Sequence, residues 1–243
     1  RTKKWRRSTP LTIPSKNKGV LVKVKRRLSS NYDERPPGTP IDMLVLHYTG
    51  MQNAEAAIDR LCDPDAQVSA HYLIDEDGTI LQLVEEGYRA WHAGESCWRG
   101  HRDINARSIG IELVNPGHEF GYRPFSESQM RRLETVALDI VRRHQIPARN
   151  VVGHSDIAPR RKEDPGELFD WFRIFDLGVG CWPDRAAPCN MDEGEATILL
   201  QSFGYETIDM PATLKAFQSH FRPANISGKL DHETAGLLKR LPS

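Results

Sequence analysis

Three things are scarce in this chain of 243 residues, and each scarcity excludes something. No apolar run approaches the roughly 18 residues that a membrane-spanning helix requires, so no transmembrane segment is expected. Cysteine is confined to Cys62, Cys97, Cys181 and Cys189, at spacings that match no standard zinc or redox motif. Free thiols are expected; a pairing of Cys181 with Cys189 across a short loop would require an oxidising compartment. Acid is missing from the first 30 residues, which hold eleven Lys and Arg. Of 33 basic and 33 acidic residues, 22 and 33 then remain for the rest, so a formal net charge of zero conceals an acidic body with a basic arm. Such an arm suits anionic polymers or a membrane surface. A flexible, solvated tail over residues 1–37 is the simpler reading and the one expected here. No nucleic-acid partner is expected. The arm's apolar patch at residues 19–22 is too short for a signal peptide. The visible sequence therefore reads as cytoplasmic, although it begins at Arg1, not Met, and a missing upstream segment would put it in the cell envelope.

What is present is organised around VVGHSDIAPRRKEDPG, residues 151–166. Val151 and Val152 read as the end of a buried strand. Pro159, Pro165 and Gly166 then hold an irregular loop, too rich in proline and charge to be a helix. Loops on a rigid sheet are where open metal sites are built. His154 and Asp164 are good zinc ligands, with Lys162 close in sequence, but a catalytic zinc takes three protein ligands and one open position. Residues 41–48 form an apolar run of strand length ending in a histidine, and His47 is the candidate for the third position. Two imidazoles and one carboxylate suit a hydrolytic zinc, although a lone histidine after a strand is more often simply packed. Residues 108–114 read as another central strand, with Glu112 in its middle on the face of Gly110 and Val114. A carboxylate there is either a structural ion-pair partner or a general base. Lys162 suits stabilisation of an oxyanion, or is a solvated lysine.

Elsewhere, residues 54–61 read as a short helix, and residues 68–84 as a hairpin turning at 75–78. Residues 126–145 form the clearest helix, with Ser126 and Gln129 as a capping box and an apolar stripe from Met130 to Val141. Strands separated by helices predict a mixed α/β domain over residues 38–178, its central sheet flanked by helices. After a linker at 179–192, three short helical patterns near 193–203, 211–221 and 231–241 predict a small C-terminal three-helix module spanning residues 193–243.

Five separated segments now fall in a known order: LVLHYT (44–49), SAHYLID (69–75), WHAG (91–94), SIGIEL (108–113) and GHSDIAPRRKEDPG (153–166). Together they resemble the zinc-dependent N-acetylmuramoyl-L-alanine amidases of the AmpD and AmiD type, relatives of the animal peptidoglycan recognition proteins. The resemblance covers about residues 38–178. It implies one zinc ion on His47, His154 and Asp164, with Glu112 as catalytic acid/base and Lys162 stabilising the transition state. It implies hydrolysis of the amide between N-acetylmuramic acid and L-alanine, in the sacculus or in peptidoglycan fragments. His71, Trp91, His92 and Asn105 lie in other family segments and are candidates for lining the substrate groove, or equally for packing around it. LLQSFGY (199–205), LKAFQ (214–218), HFRP (220–223) and GKLDHET (228–234) are similar to three-helix peptidoglycan-binding domains. With GVGCWPD (178–184) they resemble the AmiD branch more than AmpD. A structural or docking role for this module stays open, because it lacks an obvious sugar-stacking tryptophan. The ligands alone do not exclude another amide substrate, and the fold also supports catalytically silent recognition modules.

Overall fold

The computed structural model describes residues 11–14, 21–183 and 186–242. Its strands are β1 (Leu11–Pro14), β2 (Leu21–Arg26), β3 (Tyr32–Glu34), β4 (Met43–Tyr48), β5 (Tyr72–Ile74), β6 (Ile80–Gln82), β7 (Tyr88–Ala90), β8 (Ser108–Leu113) and β9 (Val151–Gly153). Its helices are α1 (Ala54–Cys62), α2 (Ile104–Arg107), α3 (Gly117–Phe120), α4 (Glu127–His144), α5 (His154–Ile157), α6 (Trp171–Phe175), α7 (Glu193–Phe203), α8 (Met210–Phe221) and α9 (His232–Leu238). The main sheet runs β1-β2-β6-β5-β8-β4-β9. β4 pairs in parallel with both β8 and β9, and β5 pairs in parallel with β8, so four strands deliver their carboxyl ends to one edge of the sheet. The expected hairpin is the antiparallel pair β5–β6. The mixed sheet flanked by helices is thus as predicted.

Side-chain alternation sorts the two faces. Leu44 and Leu46 of β4, with Ile109, Ile111 and Leu113 of β8, pack on the apolar stripe of α4 (Met130, Leu133, Val136, Ala137, Ile140). Each such side chain contributes about 1.5–3 kcal/mol on leaving water. Ser126 caps α4 by accepting from the Gln129 backbone N–H at 3.1 Å. The other half of the expected capping box is absent. Gln129 instead donates its side-chain amide to the carbonyls of Ile74 (2.9 Å) and Val114 (3.0 Å), tying the helix to β5 and the end of β8.

The opposite face is covered in two places. α1 lies over β5, where Ala57 and Leu61 meet Leu73. The C-terminal helices lie over β4 and β9, where Leu200, Phe203, Leu214, Phe217 and Phe221 share a core with Met43, Val45 and Val152. The ends of β4 and β8 lie on the same face, between these two covers.

Two expectations need correction. The basic arm is not wholly a tail, since Leu11–Pro14 and Leu21–Arg26 are strands and β2 extends the sheet in parallel with β6. The reason is a period of two: Ile13, Val22 and Val24 are buried while Lys23 and Lys25 face solvent. The remaining arm residues, 1–10 and 15–20, lie outside the described residues. Second, the loop after β9 begins with one helical turn, His154–Ile157, closed by the Ala158 N–H on the His154 carbonyl (3.0 Å). Its prolines fall after that turn, where they do no harm. Cys62, Cys97, Cys181 and Cys189 are free thiols.

Candidate active site

His47 is the fifth residue of β4, and Glu112 is its register partner on β8. Val45 and Gly110 are paired two residues earlier, so His47 and Glu112 stand side by side on one face. Gly110 is glycine for a reason of space: a Cβ there would sit 2.5 Å from the ring of His92. β9 ends at Gly153 and hands the chain to α5, which opens with His154. The Ser155 N–H donates to the Asp164 carbonyl at 2.9 Å, which folds the following loop back on itself.

These placements bring three donors together. His47 Nδ1 lies 3.0 Å from Asp164 Oδ2, His154 Nδ1 lies 3.1 Å from the same oxygen, and the two nitrogens are 3.0 Å apart. All three residues are buried. Donors about 2.0–2.1 Å from a tetrahedral zinc are roughly 3.3 Å from each other, so the donor set suits a small divalent ion in both chemistry and spacing. Burial, outweighing the pull of Asp164, lowers His47 from 6.5 to about 4, which keeps the ring in the neutral form that binds metal. Burial by itself would raise Asp164, but the imidazoles of His154 and His47 hold it below the ordinary carboxylate range.

The second nitrogen of each imidazole is fixed as well. His154 Nε2 is 3.0 Å from the Ala93 carbonyl, and His47 Nε2 is 3.0 Å from His92 Nδ1. His92 in turn meets Ser108 Oγ at 3.1 Å, and that hydroxyl donates to the Ile104 carbonyl. Such outer contacts set ring orientation and tautomer. Glu112 is different. Its Oε2 is buried without a hydrogen-bond partner, and burial, then the Asp164 charge, push its pKa well above 4.5 despite Lys162.

The donors and Glu112 lie in a cleft of about 1080 Å³ between the two covers of this face. Ala57, Arg60 and Leu61 of α1 line one bank, and Ala212, Lys215, Ala216 and Ser219 of α8 line the other. Lys162, His92 and the Tyr48–His118 pair (2.9 Å) also face it. Sequence reasoning missed His118 and Glu167, whose side chains bond at 3.0 Å on the cleft wall; neither has a local pattern that marks it. Of the four residues expected along the groove, only His92 lines the cleft. His71 is fully buried, accepting from the Gly110 N–H through Nδ1 while Nε2 meets Arg35 and the Tyr88 carbonyl. Asn105 Oδ1 accepts from the backbone N–H groups of His92 (3.0 Å) and Ala93 (2.8 Å). Trp91 is half-buried outside the cleft lining, with its backbone N–H donating to Ser69 Oγ. For His71 and Asn105 the groove-lining alternative gives way to the packing one: their polar atoms are spent on the framework that carries His92.

Residues 37–167 match the N-acetylmuramoyl-L-alanine amidase family. The chain is also 36% identical, over 92% of its length and 90% of the relative's, to N-acetylmuramoyl-L-alanine amidase AmiD of Escherichia coli K12. The chain belongs to the N-acetylmuramoyl-L-alanine amidase family. The 1,6-anhydro-N-acetylmuramyl-L-alanine amidase AmpD of Salmonella typhimurium is 38% identical, but 91% of it matches only 65% of this chain. Among solved structures, E. coli AmiD in complex with the substrate anhydro-N-acetylmuramic acid-L-Ala-D-gamma-Glu-L-Lys superposes with a TM-score of 0.76 at 35% identity, covering 93% of this chain and 96% of AmiD. Among the described residues no helix is long and apolar enough to cross a membrane.

Proposed function

We infer that this amidase is zinc-dependent and hydrolyses the amide between N-acetylmuramic acid, or its anhydro form, and L-alanine in peptidoglycan or muropeptides. One observation carries the reading: the convergence of His47, His154 and Asp164 on one point, beside a buried carboxyl that has no internal partner. His47, His154 and Asp164 would hold the ion. A zinc ion in such a site polarises a carbonyl oxygen and acidifies water. Glu112 accepts the proton of the attacking water and passes it to the amide nitrogen. The C–N bond then breaks, leaving a lactyl carboxylate and the free amino group of L-alanine. Burial suits Glu112 to this task, because raising its pKa makes the carboxylate a better proton acceptor than an ordinary one. Lys162, at the cleft rim, donates to the carbonyl oxygen as negative charge develops there. A catalytically silent binding module would not need the three donors, Glu112 and Lys162 gathered in one cleft. The C-terminal helices serve as a wall-contacting module, their α8 face forming one bank of the cleft.

The test is direct. Purified protein should carry one zinc per chain, release L-alanine-terminated stem peptide from anhydro-muropeptides, and lose that activity to a chelator and regain it with zinc. Zinc-loaded protein that leaves both muropeptides and intact sacculi uncut would refute the reading. Comparing those two substrates also separates turnover of released fragments from action on the wall.

A further inference from the structure

The C-terminal helices meet the metal loop through one buried carboxylate. Asp156, on α5 two residues after His154, is 1% exposed, and both of its oxygens are used. Oδ1 accepts from the Tyr205 hydroxyl at 2.6 Å. Oδ2 accepts from the Gly153 backbone N–H at 2.7 Å and lies 2.8 Å from His220 Nδ1. Tyr205 follows α7 and His220 is on α8, so two of the three partners belong to the C-terminal module. The contacts are closely packed. The His220 ring is stacked on Trp171 (centroids 3.7 Å apart, 14° between planes) and on Phe221 (4.0 Å, 17°). Tyr205 packs edge-on against Trp98 at 4.9 Å, and a Cβ on Gly204 would come within 2.6 Å of that indole.

α5 is one turn long and has little stability of its own. It nevertheless supplies His154, and through the Ser155 N–H it holds the Asp164 carbonyl. Whatever orients α5 therefore orients two of the three donors. Asp156 grips the turn from the strand side through Gly153 and from the module side through Tyr205 and His220.

We propose that Tyr205 and His220 are positioning residues for the metal site: through Asp156, the C-terminal module sets α5 and so pre-forms the donor triangle. The module is then part of the hydrolytic unit besides any contact it makes with the wall. The inference rests on His154 and Asp164 being metal ligands. Linkage makes it reciprocal, because a module that favours metal binding must itself be held more firmly once metal is bound.

The experiment uses the full chain and the ions zinc(II) and cobalt(II). Tyr205→Phe and His220→Gln should each weaken zinc(II) about tenfold in chelator competition, in the range for groups that orient metal ligands. They should also alter the visible absorption of the cobalt(II) form, a signature that loss of general stability does not change. Arg102→Ala, which removes only the exposed Arg102–Glu206 tether (2.8 Å) between body and module, is the control and should leave zinc affinity unchanged. Addition of zinc(II) to the wild type should slow amide hydrogen exchange in α7 and α8. Should the Tyr205 and His220 variants bind zinc(II) as the wild type does, or weaken no more than Arg102→Ala, the positioning role is refuted while the metal site stands. Should the wild type bind no zinc(II), both fall together.

Discussion

Glu112 and Asp156 are buried carboxylates on the same side of the sheet, and they have opposite surroundings. Asp156 is met by a phenol, an imidazole and a backbone N–H, so its oxygens are satisfied. Glu112 has an oxygen with no partner, and burial together with the Asp164 charge pushes its pKa up. A protein gains nothing in stability from the second arrangement, since an unmet buried carboxyl costs free energy. Burial is common to both and so does not separate them. The difference is that the surroundings complete Asp156 and leave one oxygen of Glu112 unmet.

That contrast can be broken by substitution. Glu112→Gln should lower turnover on the order of 10³-fold while leaving bound metal in place, measured by steady-state hydrolysis and metal content. Near wild-type rates would make Glu112 no more functional than Asp156. Asp156→Ala should do the reverse in kind, destabilising the fold by about 3 kcal/mol in denaturant titrations because Tyr205 and His220 lose a buried partner. Tyr205→Phe, which deletes one hydrogen bond to that charge, should cost about 2 kcal/mol by the same measurement. The smallest effect sharpens the comparison most. Because its folded pKa lies above the unfolded one, Glu112 favours folding below the unfolded value, and that contribution is lost as pH rises through the raised value. Metal-free Glu112→Gln should therefore be more stable than the metal-free wild type at neutral pH, with the gap closing as pH falls below the unfolded value. A gap independent of pH would mean that Glu112 is not held as described.

Much of this was legible along the chain. The stripe from Met130 to Ile140 reads as a helix face because 3.6-residue periodicity is local, and the strands at Met43–Tyr48 and Ser108–Leu113 read as strands because they are apolar and short. His47, His154 and Glu112 were legible because each lies on or directly after a recognisable strand, and Asp164 because it shares the loop that follows His154. β2 was overlooked for a physical reason: its alternating Lys23 and Lys25 make the arm look solvated when read by charge, while Val22 and Val24 mark a strand when read by period. His71 and Asn105 stayed open between groove and packing because a polar residue in a family segment looks alike whether it faces a ligand or a backbone amide.

By itself the sequence determined the central strands, the longer helices, the family and the candidate ligands, since periodicity, capping and motif order are properties of neighbours along the chain. Only the tertiary structure decided that Glu112 is the register partner of His47, that His71 and Asn105 serve the framework, and that Asp156 is shared with the C-terminal helices. Each of these depends on which distant atom ends up about 3 Å from a given polar group. That is settled by how strands register and helices pack, and no local pattern encodes it.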